Sequence, residues 1–464
     1  MTPDTPFLSV GSARVDITPP LTVPELGYPD ERHTFFEGVH DPLFAKALVA
    51  GDGADRVALV SVDSIGLSRR AFGPGRDFIA EVRQRAEGMT GIAADHIMVA
   101  ATHAHSTPET IAFRPLGEHP GCAEWLEVLA DQLASAVALA DRAKQPARMR
   151  VAQGEAEGIG WSRRIITKDG GIASYGARPA DDEIADWGAS DHAVTVAVFE
   201  RAVGGPTTPS GLQGKRTGLS GLQAALVHFT CHPVTVQVNP LVSADFPGAA
   251  TRIVEQALDL DTCVFVQGAC GSINPVRNTS GFGDVERYGQ ALAGEAMRLI
   301  AEAGRPDWPD CPPRVAAATR KVSLASRELP SLADLRAERD RAQGAGEQSH
   351  ALYLDEQIAR VELGDGPFEA EVQALRIGDL VIVGVECEPF AELGLAIRDL
   401  GRQDCLPHAT ICAGYANGYL GYVAPREAWA QGGYEVSLGM WAMVGPEAFG
   451  ALAEAAEGLV RSLA

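Results

Sequence analysis

Short, almost continuously apolar runs recur along the chain and alternate with longer segments of helical periodicity. Runs of this length that are rich in β-branched residues are typical of strands buried on both faces. Strands that alternate with helices indicate an α/β fold, and consecutive strands with no room for a crossover helix add antiparallel pairs. We therefore predict mixed β-sheets flanked by helices. The predicted strands cover residues 56–62, 96–101, 193–199, 224–230, 263–267 and 380–385, and the predicted helices cover 123–140, 247–258 and 284–303.

Two stretches interrupt this pattern in the manner of insertions. Residues 203–222 are rich in Gly, Ser, Thr and Pro, which predicts a flexible surface loop. Residues 331–362 are charged and helix-prone, so we expect one or two exposed helices packed on the main body. Because the sequence shows no internal repeat and no interdomain linker, we predict a single domain over residues 1–464.

The balance of charge argues against nucleic acids and anionic membranes as binding partners. The chain has 464 residues, of which 61 are acidic and 39 are basic, and its formal net charge is -22. Such an excess repels phosphate backbones and anionic lipid, so binding to either would need a local basic patch. The largest basic clusters are pairs such as Arg163–Arg164. We therefore expect no nucleic-acid partner and no stable membrane association.

The N-terminus and the cysteines bear on the cellular compartment. Residues 1–6 show no basic region and no apolar run before a cleavage site, and no window approaches the roughly 18 apolar residues that a membrane span needs. The eight cysteines include no CxxC pair, which favours reduced core thiols over disulfides or a thiolate zinc site. These observations predict a cytoplasmic protein.

Polar side chains of metal-binding type follow three of the predicted strands. His103 and His105 come after the strand that ends at residue 101, His232 follows the strand that ends at 230, and Glu388 follows the strand that ends at 385. Each case alone has an ordinary explanation, because surface or capping histidines, core histidines and polar strand ends are all common. Together they place imidazoles at two strand ends and a carboxylate at a third, where ligands of α/β sheets gather. This is a familiar catalytic zinc set, with one position left for water.

Several common catalytic motifs are missing from the sequence, and the C-terminal part supplies a different pattern. There is no GxSxG elbow, no Walker sequence, no GxGxxG after a strand and no HExxH, which argues against the usual serine-hydrolase, nucleotide-binding and metalloprotease classes. Glycines alternate with tyrosines in 413–423 and again in 432–435. Such a segment can form a tight turn close to a ligand, although packing of the tyrosines explains it equally well.

Taken in their order, these segments resemble the neutral/alkaline, non-lysosomal ceramidases. Eight segments match in the family order and span nearly the whole chain, which is far more specific than any one match. The resemblance implies the fold of the family's N-terminal catalytic domain. The matching segments are 11–19 (Gly-Ser-Ala-Arg-Val-Asp-Ile-Thr-Pro), 101–106 (Ala-Thr-His-Ala-His-Ser), 231–233, 244–248, 267–275, 385–389, 417–423 and 433–435.

The same resemblance implies a set of metal ligands. In the family a zinc ion is held by the first His of the His-x-His pair, the His before Pro, a Glu and a Tyr. Carried over to this chain, the ligands are His103, His232, Glu388 and Tyr422, with Tyr419 as the alternative tyrosine.

The resemblance also implies residues that face the substrate. His105 and an arginine would contact the substrate carbonyl, and Arg163 is the chosen arginine with Arg164 as its alternative. Tyr434 would lie at the rim of the pocket. Asn274 stands where the family has its active-site serine.

The implied activity is that of a zinc-dependent hydrolase that cleaves a C–N amide bond with metal-activated water. Two departures from the family shape the expected substrate: the chain stops before the family's C-terminal β-sandwich domain, and Asn274 replaces the serine. We therefore expect a small soluble amide rather than long-chain ceramide. Two alternatives stay open, namely an esterase or lactonase that uses the same zinc site, and a non-catalytic metal-binding relative.

Overall fold

A computed structural model describes residues 7–25, 35–111, 121–173, 179–202, 221–237, 239–402 and 409–463. Within these residues the fold is a mixed α/β architecture, as predicted. The helices are α1 (Phe78–Thr90), α2 (Cys122–Arg142), α3 (Asp245–Leu258), α4 (Phe282–Ala303), α5 (Leu332–Ala345), α6 (Gln348–Glu362), α7 (Ala391–Leu400), α8 (Arg426–Gln431) and α9 (Ala448–Ser462).

The strands are short and are distributed over the whole described chain. They are β1 (Leu8–Asp16), β2 (Gly38–Val39), β3 (Phe44–Gly51), β4 (Arg56–Val62), β5 (Ile97–Ala101), β6 (Gln145–Glu155), β7 (Gly160–Ser162), β8 (Ile165–Thr167), β9 (Ile172–Ala173), β10 (Ile184–Asp186), β11 (Ala193–Arg201), β12 (Leu222–Phe229), β13 (Leu241–Val242), β14 (Thr262–Gln267), β15 (Ile273–Pro275), β16 (Val315–Leu324), β17 (Phe368–Ile377), β18 (Leu380–Val385), β19 (Glu388–Pro389), β20 (Ala409–Ala413) and β21 (Tyr422–Val423).

The largest sheet has eight strands in the order β14-β12-β11-β6-β1-β3-β4-β5. Its outer pairs, β4–β5 and β12–β14, are parallel, and the pairs between them are antiparallel. The sheet curls so that β14, at one end, contacts β4 and β5 at the other. The Ser61 hydroxyl on β4 donates to the Phe265 carbonyl on β14 at 2.6 Å. This curvature brings together the carboxyl ends of β5 and β12, which lie towards opposite ends of the strand order: Gln267 Nε2 donates to both the Thr102 and the Cys231 carbonyls.

A second sheet, in the order β16-β17-β18-β20, packs face to face on the first. Along β4, Val57 and Leu59 pack in the core between the two sheets, whereas Ala58 and Val60 pack under α1 and α2. Helices α3 and α4 cover another part of the outer face of the large sheet, and α7 and α9 cover the outer face of the small one. The layers are therefore helix, sheet, sheet and helix, so strands are apolar on both faces.

Of the two stretches that interrupt the sequence pattern, the structure describes 331–362 in full but only the last two residues of 203–222. The segment 331–362 contains the helices α5 and α6, which are joined by a short turn. Arg360 of α6 is fully buried and donates to the Met443 carbonyl at 2.7 Å, so α6 is tied to the main body. Residues 203–220 of the expected flexible loop lie outside the described residues, and Leu222 already begins β12.

The cysteines in the described residues are all unpaired thiols, and all but Cys311 are buried. This agrees with the predicted reduced core thiols. In the part of the chain that the structure describes, no helix combines the length and the apolar composition required to cross a bilayer.

Candidate metal centre

Three turns after strands deliver the candidate ligands to a common point. His103 follows β5, and its backbone N–H donates to the Ser64 carbonyl at 2.9 Å. His232 follows β12, and its N–H donates to the Ile273 carbonyl at 3.0 Å. Glu388 opens β19, which pairs in parallel with β21. Each side chain is thus placed by a backbone bond to a neighbouring segment.

The ligand atoms of these residues lie within a few ångströms of one another. The Nε2 atoms of His103 and His232 are 2.8 Å apart. Glu388 Oε2 is 3.3 Å from the first of these atoms and 3.8 Å from the second. His105 Nε2 is 3.1 Å from His103 Nε2, and ligand atoms of the three histidines all lie within 4.8 Å of one another.

Hydrogen bonds at the Nδ1 atoms determine where two of these imidazoles carry a proton. His103 Nδ1 faces the Ile65 carbonyl, and His232 Nδ1 lies 2.8 Å from the Cys270 carbonyl. A carbonyl oxygen only accepts hydrogen bonds, so each Nδ1 carries a proton, and in the neutral imidazole the lone pair is on Nε2. Metal-binding histidines are held in the same way, by a bond from the other ring nitrogen. Two lone pairs that face each other beside a carboxylate fit a divalent cation.

Burial and charge keep these groups in the forms that bind a metal. Burial lowers the pKa of His232 well below its ordinary value, and the nearby charge of Arg163 lowers it further, so the imidazole stays neutral. Burial on its own raises the pKa of Glu388, but His103, the Tyr419 hydroxyl and Arg163 outweigh it, so the pKa lies below its ordinary value. The site therefore offers a neutral His232 imidazole and an ionised Glu388 carboxylate.

The two candidate tyrosines occupy different positions. The Tyr419 hydroxyl donates to Glu388 Oε1. The Tyr422 hydroxyl accepts from Arg163 Nη2 at 2.9 Å. Burial raises the pKa of both phenols well above the ordinary value. Tyr419 thus contacts a candidate ligand directly, whereas Tyr422 contacts Arg163 and is paired with Glu388 in the β19–β21 register, so the choice of Tyr422 as a ligand stays a prediction.

Arg163 is held by a cluster of polar side chains beside the histidines. Its Nε donates to Glu435 at 2.9 Å and its Nη1 donates to Asn274 Oδ1 at 3.3 Å. Asn274 lies on β15, opposite Trp161 of β7, so a two-stranded ribbon positions both the asparagine and the arginine. The predicted substrate-facing residues Arg163 and Asn274 therefore lie together.

Glu435 is a functional candidate to which the sequence reasoning gave no role. Its side chain is fully buried, and its second oxygen accepts from Arg164 at 2.6 Å, so one carboxylate fixes two arginines. The sequence carries no local signal for this contact, because the burial of Arg163 and Arg164 is known only from the folded chain. Arg164 points away from Tyr422 toward the Gly432 carbonyl at 2.8 Å, which favours Arg163 over its alternative.

His105 and Tyr434 lie at the edge of this group. His105 is less buried than His103 and His232, and its distance from His103 allows it to face either the ion or the substrate. Tyr434 is 37% exposed, and its ring lies 6.0 Å from that of the buried Tyr422. The half-exposed Tyr434 is thus at the outer side of the site, and its role at the rim stays a prediction.

The comparisons with known proteins bear on the fold. No protein-family model matches the chain, and no curated protein matches its sequence. Among solved structures, the neutral ceramidase from Pseudomonas aeruginosa is similar with a TM-score of 0.71 and 18% identity, over 99% of this chain and 75% of that chain. A ceramidase complexed with C2 is similar with the same TM-score and 17% identity, over the same shares. The chain therefore has a neutral ceramidase-like fold, which confirms the predicted resemblance at the level of the fold.

Proposed function

We propose that this chain is a zinc-dependent hydrolase that cleaves the C–N amide bond of a small soluble substrate. The observation that carries the proposal is the close approach of the Nε2 atoms of His103 and His232, with Glu388 beside them. A buried arrangement of this kind is costly without a cation, and zinc prefers imidazole nitrogen and carboxylate oxygen. The structures that share this fold carry the name ceramidase, which denotes hydrolysis of an amide.

His103, His232 and Glu388 would hold the ion, with Tyr422 as the fourth protein ligand. Zinc bound in such a site lowers the pKa of a bound water to near 7, which supplies a nucleophile at neutral pH. His103 and His232 keep their Nε2 atoms available for this purpose because their Nδ1 protons are bound to backbone carbonyls.

Arg163 would stabilise the charge that develops on the substrate carbonyl oxygen. Its guanidinium is buried and is already oriented by Glu435, so little rearrangement is needed during the reaction. His105 would provide a second donor to that oxygen or protonate the leaving amine, and a nearby tyrosine is the alternative acid. Since Asn274 Oδ1 accepts from Arg163, this asparagine supports the same donor.

Metal analysis combined with a substrate panel tests the proposal. The purified protein should hold about one zinc per chain and hydrolyse short N-acyl amides. The double variant His103→Ala/His232→Ala should lose the metal and the activity together. Replacement of His350, an exposed histidine that pairs with Glu338, is the matched control and should change neither.

Three outcomes would contradict parts of the proposal. Full metal occupancy in the double variant would overturn the ligand assignment. Turnover of matched esters or lactones without turnover of amides would make the enzyme an esterase. Bound metal with no turnover across the panel would identify a non-catalytic relative.

A further inference from the structure

One tyrosine of the segment 413–423 contacts the candidate ligands from several sides. The Tyr415 ring stacks on the His103 imidazole, with centroids 3.9 Å apart and planes at 18°. Its hydroxyl lies 3.4 Å from Glu388 Oε2 and 3.0 Å from Cys270 Sγ. The Cys270 carbonyl in turn accepts from His232 Nδ1. Tyr415 therefore contacts two candidate ligands directly and reaches the third through one residue.

The main chain of Tyr415 is strained and is bonded to the same segments. Its φ is 58°, and the φ of the stacked His103 is 67°, both in the left-handed region that bulky residues avoid. The Tyr415 N–H donates to the Cys387 carbonyl at 3.0 Å, and its carbonyl accepts from the Ala101 N–H at 3.1 Å. Strained positions of this kind persist only where the surroundings fix them, and they concentrate at functional sites.

We propose that Tyr415 is a positioning residue for the metal centre, in which the ring and the hydroxyl have separate tasks. The ring limits rotation of the His103 imidazole. The hydroxyl donates to Glu388, because a carboxylate only accepts, and its oxygen then accepts from the Cys270 S–H. The inference rests on the proposed function, since these contacts orient ligands only if a metal is bound.

Metal titration of the full chain separates the two tasks. After the protein has been stripped with a chelator, Zn²⁺ affinity is measured by competition, and the visible spectrum is recorded with Co²⁺. Tyr415→Phe keeps the ring and removes the hydroxyl, so we expect about tenfold weaker Zn²⁺ binding and a shifted Co²⁺ spectrum as Glu388 loses a partner. Tyr415→Leu also removes the stacked ring and should weaken binding further, towards about 100-fold.

Tyr288→Phe is the matched control for the loss of a buried phenol. Tyr288 lies on α4, is buried, and its hydroxyl accepts from the Arg277 backbone N–H at 2.9 Å, whereas the Tyr415 hydroxyl lies against Glu388. This variant should bind Zn²⁺ as the wild type does and leave the Co²⁺ spectrum unchanged. Cys270→Ala should weaken binding less than Tyr415→Phe, because the phenol keeps its bond to Glu388.

The outcomes separate this inference from the proposed function. If the wild type binds about one zinc and Tyr415→Phe matches it in affinity and in Co²⁺ spectrum, Tyr415 is not a positioning residue. An equal loss in Tyr288→Phe would overturn the inference as well, because the effect would then reflect general packing. A wild type that binds neither ion overturns the proposed function, and this inference with it. If Tyr415→Leu fails to fold, Tyr415→Phe alone decides.

Discussion

Arg163 and His105 lie beside the candidate ligands, and we predict that both act as donors to the substrate carbonyl. Replacing either by Ala should leave about one zinc per chain and reduce turnover by about 10²–10³, the usual cost of removing one donor to a developing oxyanion. Metal analysis and steady-state kinetics on each variant provide the measurement. Arg305→Ala is a suitable control, because Arg305 is an exposed arginine that pairs with Asp307.

A metal-free variant would contradict this division between substrate contacts and ligands. For His105 that result has a clear structural meaning, because its Nε2 lies 3.1 Å from His103 Nε2. The ligand set would then contain three imidazoles. For Arg163, a metal-free variant would mean that the arginine maintains the shape of the whole site.

Glu25 gives a prediction about pH and stability. It is 3% exposed, its Oε2 has no donor among the described residues, and burial raises its pKa to about 8. Between pH 4.5 and 8 the folded state binds a proton that the unfolded state has lost, so the free energy of unfolding falls as pH rises, by up to about 1.4 kcal/mol per pH unit. Glu25→Gln removes this dependence.

Urea unfolding at several pH values between 5 and 8 checks the effect of Glu25. The variant should gain stability over the wild type as the pH increases, because only the wild type must ionise a buried carboxyl. Other buried acids titrate in both proteins, so the difference between the two curves isolates Glu25. Parallel curves would contradict the prediction, because they would show that Glu25 has the same pKa in the folded and unfolded states.

At the scale of elements, the helix pair α5–α6 contains a buried arginine, Arg360, and an exposed one, Arg336. Their replacement should affect stability differently. Arg360 donates to the carbonyls of Met443 and Gly364, whereas Arg336 forms an exposed pair with Glu362. Arg360→Ala leaves buried acceptors without donors and should lower the free energy of unfolding by about 2–4 kcal/mol. Arg336→Ala should change it by less than about 0.5 kcal/mol.

Chemical denaturation of both variants measures these two effects. If Arg360→Ala lowers the free energy of unfolding as little as Arg336→Ala does, α6 is not tied to the main body through Arg360. A transition that splits into two steps only in Arg360→Ala would show that the helix pair unfolds separately from the sheets.

The sequence was most informative about individual strands and helices. The predicted runs 56–62 and 380–385 coincide with β4 and β18 because these strands are buried on both faces, which leaves a continuous apolar signature. Helix α2 was also visible from its periodicity, and its observed bounds differ from the predicted ones by one or two residues. Local patterns suffice for such elements, since each one carries its own signal.

The arrangement of these elements could not be read from local patterns. The large sheet is curled by contacts between residues far apart in the chain, such as the hydrogen bond from the Ser61 hydroxyl on β4 to the Phe265 backbone carbonyl on β14. The roles of Glu435 and Tyr415 were missed for the same reason. A carboxylate between two arginines and a left-handed tyrosine stacked on His103 arise only from tertiary packing.

At the scale of the whole molecule, the net charge of -22 bears on the substrate. A chain of this charge is repelled by anionic interfaces, and Asn274 lacks the hydroxyl expected for ceramide cleavage. We expect short N-acyl amides to exceed a long-chain ceramide in kcat/KM by about tenfold or more, or about 1.4 kcal/mol. Assays in neutral and in anionic detergent separate repulsion at the interface from exclusion by the pocket. A tenfold preference for the ceramide in neutral detergent would refute this expectation.

The curled eight-stranded sheet also dictates when during folding the site can form. His103 and His232 are 129 residues apart in the chain, and Glu388 arrives later still on a different sheet. Closing such long loops costs entropy before any contact repays it, so non-local folds of this kind form slowly. A nascent chain that has not yet delivered Glu388 offers an incomplete ligand set. The proposed metal would therefore be captured at the end of folding and could not serve as its template.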